Sequence, residues 1–149
     1  MIDSFSQLKL DSNILKAIDE LGFVKPTPVQ GRIIPTLLDE DGDIVCLAQT
    51  GTGKTAAFGL PTLNKIDLNA KYTQALVLSP TRELCKQIAQ DFKNYSKYLD
   101  GLLVADIYGG ANIEPQIRIL KKNSLPLSHS NVIQINGIHL YVKHSSVDL

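Results

Sequence analysis

The sequence contains no tryptophan, only two cysteines and no excess of charge of either sign. Cys46 and Cys85 are too few and too far apart to indicate a disulfide framework or a zinc site, and we expect Cys46 to be a buried free thiol. Fifteen basic residues balance fifteen acidic ones, so bulk electrostatic attraction predicts no partner. The chain has no apolar run near the roughly 20 residues of a membrane span and no signal-peptide pattern at its start. We therefore expect a cytoplasmic protein without a membrane partner.

Apolar runs and helical patterns alternate along the chain. Short apolar runs at residues 44–48, 75–79 and 102–108 are each followed by a glycine turn or a helical pattern. Continuous apolar strands that alternate with helices predict an α/β fold, a parallel sheet flanked by helices. Apolar residues at helical spacing predict helices over residues 11–21 and 27–38, after residue 53, and along residues 84–99 and 113–120.

The composition changes after Lys122. Residues 124–149 contain five serines and all three histidines, which lack metal-ligand spacing. Residues 131–135 and 138–142 flank an Asn-Gly turn signal and predict a hairpin. We therefore expect the β-α alternation to stop here, which would leave the parallel sheet a strand short with an exposed apolar edge.

Residues 48–55 match the phosphate-loop pattern, with Ala48 in place of the usual first glycine. Glycines let such a loop turn tightly, so that successive backbone N–H groups point at phosphate oxygens. Lys54 would reach the β- and γ-phosphates, and the Thr55 hydroxyl would be a ligand of magnesium. The loop predicts a site for ATP or another nucleoside triphosphate with Mg²⁺, formed by Gln49, Thr50, Gly51, Thr52, Gly53, Lys54 and Thr55.

Four sequence motifs, in order and at matching spacing, resemble those of the DEAD-box RNA helicase family. Residues 22–30, with Phe5 seventeen residues before Gly22, are similar to the Q motif. The sequence of residues 48–55 matches motif I of that family, and residues 80–84 resemble motif Ia. Residues 109–110 resemble its GG turn. The resemblance implies a RecA-like domain with ATP and Mg²⁺ as cofactors and RNA as partner.

Gln30 has two interpretations. The resemblance implies that its amide pairs with adenine, that Phe5 stacks on the base and that Thr27 helps to fix Gln30. The residues alone favour a capping box, in which Gln30 at the third helical position returns to the backbone N–H of Thr27.

The resemblance also implies an RNA contact through Pro80, Thr81 and Arg82 of motif Ia and through the turn of Gly109 and Gly110. Contacts of this kind reach the RNA backbone and carry no base specificity. From the residues alone, Pro80 to Arg82 would be an ordinary strand-to-helix turn.

The resemblance covers residues 1–122, and we expect residues 123–149 to form an atypical tail that departs from the family. The family's Asp-Glu-Ala-Asp motif, its Thr-Pro-Gly-Arg motif and its second RecA-like domain have no counterpart here. We therefore assign no catalytic residue and expect a truncated form with little activity alone. Its tail would have been read in another frame or joined from unrelated sequence. The other account is a genuine short regulatory protein with its own tail. The alternatives are a non-catalytic ATP- or RNA-binding module and a small phosphate-loop kinase. The kinase is disfavoured because residues 79–82, at the end of the second predicted strand, include no acidic group for magnesium.

Overall fold

A computed structural model describes residues 2–40, 42–70, 72–123 and 131–136, with residues 121–123 and 131–136 described through the backbone alone. The described part of the chain is an α/β domain in which helices flank a parallel sheet. In chain order its elements are a 3-10 helix (Phe5–Leu8), α1 (Ser12–Glu20), α2 (Pro28–Asp39), α3 (Lys54–Asn64), β1 (Thr73–Leu78), α4 (Arg82–Tyr95), β2 (Leu102–Asp106), α5 (Ile113–Asn123) and β3 (Asn131–Asn136).

The starts of α1, α2 and α4 follow from local side-chain chemistry. Asp11, Thr27 and Thr81 each accept a hydrogen bond from a backbone N–H of the first turn, which satisfies a group that the helix itself leaves unpaired. Pro28 occupies the first position of α2, where its missing N–H costs nothing. The predicted beginnings of α1 and α2 are confirmed.

The described sheet has the strand order β1-β3-β2, and both pairings are parallel. β3 lies in the middle, with Ile133 opposite Ala75 on one side and Val104 on the other. The expectation that the β-α alternation stops after Lys122 is therefore wrong for residues 131–136, which complete the sheet after α5. The proposed partner of the hairpin, residues 138–142, lies outside the described residues.

Residues 44–48, predicted as a strand, have no strand partner in the described part of the chain. Val45 and Leu47 are 90% and 94% exposed, and Cys46 is exposed, so the expectation of a buried thiol is wrong. The apolar run identifies a segment suited to burial, but a strand also requires a neighbour for its backbone hydrogen bonds. No described segment provides that neighbour.

The hydrophobic core is formed by residues of the 3-10 helix, α1, α2, α3, α4, β1 and β2. Helices α3 and α4 pack on each other, and a Cβ on Gly59 would lie 3.0 Å from the Phe92 ring, so a glycine there permits the close approach. The apolar face predicted for α4 is confirmed, because Ile88, Phe92 and Tyr95 are all buried. None of the described helices is long and apolar enough to cross a bilayer.

Candidate nucleotide-binding site

The phosphate loop ends in a helix whose first turn has no side-chain cap. Gly53 occupies the position before α3 with a φ of +82° and provides no side-chain hydrogen bond to the helix. Helices α1, α2 and α4 are capped by side chains. Gly51 also has a positive φ, +79°, a conformation that a side chain disfavours. The first N–H groups of α3 are therefore left for another acceptor, and the helix dipole favours an anion there.

Lys54 and Thr52 close the loop upon itself. The Lys54 ammonium donates hydrogen bonds to the carbonyl oxygens of Ala48 and Gln49, each at 2.5 Å. The Thr52 hydroxyl donates to the Gln49 carbonyl at 2.8 Å. The positive charge of Lys54 thus lies inside the loop. Thr55 stands half-buried in the first turn of α3, and its hydroxyl has no hydrogen-bond partner among the described residues.

Helix α2 fastens this loop through two side chains. The Thr27 hydroxyl donates to the carbonyl oxygen of Thr52 at 2.8 Å, and Nε2 of Gln30 donates to the carbonyl oxygen of Gly53 at 3.2 Å. A Cβ on Gly53 would lie 2.3 Å from Nε2 of Gln30, so only glycine permits this contact. The sequence motifs do not reveal this connection, because the partners are the backbone carbonyls of residues far along the chain.

The capping box predicted for Thr27 and Gln30 is present. Oε1 of Gln30 accepts a hydrogen bond from the Thr27 N–H at 2.9 Å, and the Thr27 hydroxyl accepts one from the Gln30 N–H at 3.4 Å. The Gln30 amide thus serves as a cap and as a tie to the loop. An amide NH₂ has two protons and its oxygen has two lone pairs, so each atom keeps one unused position. Gln30 is only 4% exposed. The adenine contact stays a prediction.

Phe5 belongs to an aromatic cluster in the core. It is 5% exposed, and its ring centroid lies 5.7 Å from that of Phe23. Phe23 in turn meets Tyr95 edge to face at 5.9 Å and packs against the core. Phe5 is therefore placed to hold the N-terminal segment, and the predicted stacking of Phe5 on a base stays a prediction.

The residues of motif Ia and the GG turn come together at the start of α4. Thr81 caps the helix, its hydroxyl accepting from the Leu84 N–H at 3.2 Å, and Pro80 precedes it as expected for a strand-to-helix turn. The Arg82 guanidinium lies against Gly110: a Cβ there would be 2.3 Å from Nη2. Gly110 has φ +79°, and Gly109 is exposed beside it. Residues remote in sequence thus form one surface, whose contact with RNA stays a prediction.

Three neighbours of that surface were not identified from the sequence. Lys86 lies one turn after Arg82, Tyr108 directly precedes the glycine pair, and Gln116 holds the backbone of Tyr108 at both its N–H and its carbonyl. The spacing of four residues between Arg82 and Lys86 was a readable signal, since such residues share a helix face. The contact of Gln116 had no local signal.

Burial raises the pKa of the Cys85 thiol, with Asp106 adding a smaller effect of the same sign. Cys85 therefore stays a thiol at neutral pH, and its sulfur contacts the carbonyl oxygen of Ile107 at 3.8 Å. It fastens α4 to the segment before the glycine pair and is no nucleophile.

A cavity of about 540 Å³ adjoins the phosphate loop. Its walls come from α2, α3, α4 and residues 43–46, and they are mostly apolar, with Lys54 and Thr55 at its border. Among the described residues, no cluster of histidine, cysteine or carboxylate side chains could hold a metal ion. The role of Thr55 as a ligand of magnesium stays a prediction.

The parallel sheet and the uncapped loop before α3 define a phosphate-loop domain of the RecA-like class. The profile of the DEAD/DEAH box helicase family matches residues 27–142. The chain belongs to this family.

Relatives and a solved structure agree with this assignment. The chain is 48% identical over 119 residues to the "ATP-dependent RNA helicase DeaD" of Buchnera aphidicola, which covers 80% of this chain and 20% of that protein. It is 46% identical over 121 residues to the DeaD helicase of Mycobacterium tuberculosis, covering 81% and 21%. The crystal structure of a DEAD box protein from Methanococcus jannaschii superposes with a TM-score of 0.78 at 38% identity, covering 91% of this chain and 35% of that one. The chain thus spans about a fifth of the length of these curated relatives.

Proposed function

We propose that this chain is the ATP-binding front part of a DEAD-box RNA helicase core, acting in the cytoplasm on RNA. The observation that carries the proposal is the uncapped start of α3 behind a glycine loop, with Lys54 inside the loop and Thr27 and Gln30 tied to it. Other described helix starts have their own side-chain caps, so this one is suited to an anionic ligand.

Binding of a triphosphate would replace contacts that the loop now makes with itself. The Lys54 ammonium would exchange the carbonyls of Ala48 and Gln49 for the β- and γ-phosphates, which carry full negative charge. The Thr55 hydroxyl, which has no hydrogen-bond partner among the described residues, is suited to magnesium, which prefers oxygen ligands and usually arrives with phosphates and water. Magnesium, when bound, would neutralise phosphate charge.

Gln30 would select adenine through the unused proton and lone pair of its amide. Because the side chain is almost fully buried, the base must approach where α2 meets the loop. The loop and the base contact are thus linked through the bond from Gln30 to Gly53.

Turnover by this chain alone should be low. Phosphoryl transfer needs a carboxylate for magnesium, a group that orients water and an arginine finger. Among the described residues, no carboxylate lies within 4.0 Å of the Lys54 ammonium and no cluster of three or more metal-binding side chains is present. The relatives extend well beyond the matched segment. We therefore propose binding without efficient hydrolysis.

The test is equilibrium binding of fluorescent ATP and GTP in the presence of Mg²⁺ to the 149-residue chain. We expect Lys54→Ala to weaken both nucleotides at least tenfold, because the lost charge faces phosphate. Lys65→Ala is the matched control, since it removes the same charge at the other end of α3, about 16 Å away at 1.5 Å per residue. Equal affinities of Lys54→Ala and the unaltered chain would refute the phosphate site.

A further inference from the structure

Two cations converge on one tyrosine beside the GG turn. The Lys86 ammonium lies 4.8 Å from the centroid of the Tyr108 ring, and Cζ of Arg82 lies 5.9 Å from the same point. Both distances are within the range at which an aromatic ring attracts a cation. Arg82 also lies against Gly110. We call Arg82, Lys86, Tyr108 and Gly110 the Tyr108 cluster.

The two cations of this cluster have no acidic partner in the described part of the chain. Arg82, Lys86 and Lys93 recur at spacings of four and seven and share one face of α4. Lys93 is paired with Asp106 at 3.2 Å, whereas no described carboxylate lies within 4.0 Å of Arg82 or Lys86. In a chain with net charge zero, this end of α4 is a local excess of positive charge.

The backbone of Tyr108, the residue whose ring lies beside the cations, is held by Gln116. Oε1 of Gln116 accepts from the Tyr108 N–H at 2.9 Å, and Nε2 of Gln116 donates to the Tyr108 carbonyl at 3.2 Å. The same Nε2 donates to the carbonyl of Asn112 at 3.3 Å, which closes the loop around the glycine pair. Lys86 and Arg82 therefore lie beside a residue whose backbone is already ordered, and such ordering before binding lowers the entropy cost of binding.

We propose that Lys86 and Tyr108 extend the RNA-binding surface, with Arg82 and Lys86 contacting successive phosphates of one single strand. The four-residue spacing gives a rise of about 6 Å along α4, close to the separation of neighbouring phosphates on an extended strand. Tyr108 positions both cations and contacts no phosphate itself. The proposal rests on the proposed function, because it takes Arg82 as an RNA contact.

The first experiment titrates the 149-residue chain into a labelled oligouridylate and follows fluorescence anisotropy between 25 and 200 mM salt. Each phosphate contact on a single strand contributes about 0.7 to the slope of log K against log salt. At 0.1 M salt, such a contact therefore raises the affinity about fivefold relative to 1 M salt. We expect Lys86→Ala to lower the slope and the affinity by these amounts and Lys86→Arg to retain both. Lys93→Ala removes the same charge from the same face and should leave both close to the unaltered values.

The outcomes separate this inference from the RNA contact on which it rests. If the unaltered chain does not bind, or Arg82→Ala binds equally well, the RNA contact is refuted, and this proposal with it. If Arg82→Ala weakens binding but Lys86→Ala does not, or if Lys86→Ala and Lys93→Ala weaken it equally, only the present proposal fails.

The positioning role of Tyr108 has its own test. Tyr108→Phe keeps the ring face and should keep the affinity and the salt slope, whereas Tyr108→Leu should lower the affinity severalfold. Circular dichroism of both variants checks the fold, and Lys86→Ala decides the phosphate contact if Tyr108→Leu unfolds. Equal affinities of the Phe and Leu variants would exclude the ring as the support of the cations.

Discussion

The contact between Gly53 and Gln30 predicts that two similar glycine substitutions in the phosphate loop differ sharply in stability. Gly51 and Gly53 have nearly the same φ, +79° and +82°. A Cβ on Gly51 would meet nothing within 4 Å, whereas one on Gly53 would lie 2.3 Å from Nε2 and 3.1 Å from Cδ of Gln30. The pair therefore separates backbone strain from the loss of this one contact.

The magnitudes follow from the contacts that are lost. A left-handed conformation costs alanine roughly 1–2 kcal/mol, and this cost applies at both positions. At Gly53 the Gln30 side chain must also retract, which removes its bonds to the Gly53 carbonyl and the Thr27 N–H. At about 1 kcal/mol for each bond, we expect Gly51→Ala to lower the free energy of unfolding by roughly 1–2 kcal/mol and Gly53→Ala by about 2 kcal/mol more.

The assay is urea unfolding of the nucleotide-free chain, followed by circular dichroism. In a Gln30→Ala background the clash is absent, so Gly53→Ala should cost no more than Gly51→Ala, a coupling of about 2 kcal/mol between the two positions. If Gly53→Ala is unfolded in buffer, the rescue by Gln30→Ala appears as recovered helical signal. Equal destabilisation by the two glycine variants, with no coupling to Gln30, would refute the reasoning.

Three further predictions concern the base, the chemistry and the exposed segment. ATP should bind more tightly than GTP, and Gln30→Ala should remove this preference while retaining triphosphate affinity. A competition titration checks this, and equal affinities of the unaltered chain for ATP and GTP would contradict the adenine contact. RNA should not stimulate phosphate release by the chain, because the described residues contain no cluster of side chains that could hold a metal ion and an arginine finger alone is worth about 10³–10⁵ in rate. Stimulated release that disappears in Lys54→Ala would show a working enzyme. The chain should aggregate or unfold broadly, and the double variant Val45→Thr, Leu47→Thr should raise its soluble fraction, since both side chains are exposed on a segment that has no strand partner among the described residues. Unchanged solubility would mean that the segment is covered.

Local chemistry made much of the site predictable. The phosphate loop, the capping box of Thr27 and Gln30 and the apolar face of α4 each depend on residues a few positions apart, so their spacing is visible in the sequence. The family resemblance rested on the same kind of pattern and extended it to the Q motif and motif Ia. The structure confirms the capping box and the apolar face of α4, and the family profile confirms the family. The ligand contacts stay predictions.

Strand pairing was predicted less well, and the two errors were opposite. Residues 44–48 form a strongly apolar run yet have no strand partner among the described residues. Residues 131–136 carry three polar residues and form the central strand of the described sheet, although residues 131–135 were predicted as one strand of a hairpin. Backbone hydrogen bonds between strands depend little on side-chain identity, so the apolar content of a segment does not identify its neighbour. The assignment of residues 123–149 to an atypical tail that departs from the family stays a prediction.

The sequence by itself determined where the helices begin, which loop would receive a phosphate and which family the chain resembles. Only the tertiary structure decided that Gln30 bonds to Gly53, that β3 lies between β1 and β2, and that Arg82 and Lys86 meet Tyr108. The reason is the range of the interactions. Caps, turns and helix faces arise between residues within about one helical turn, while contacts between distant segments depend on how the whole chain packs.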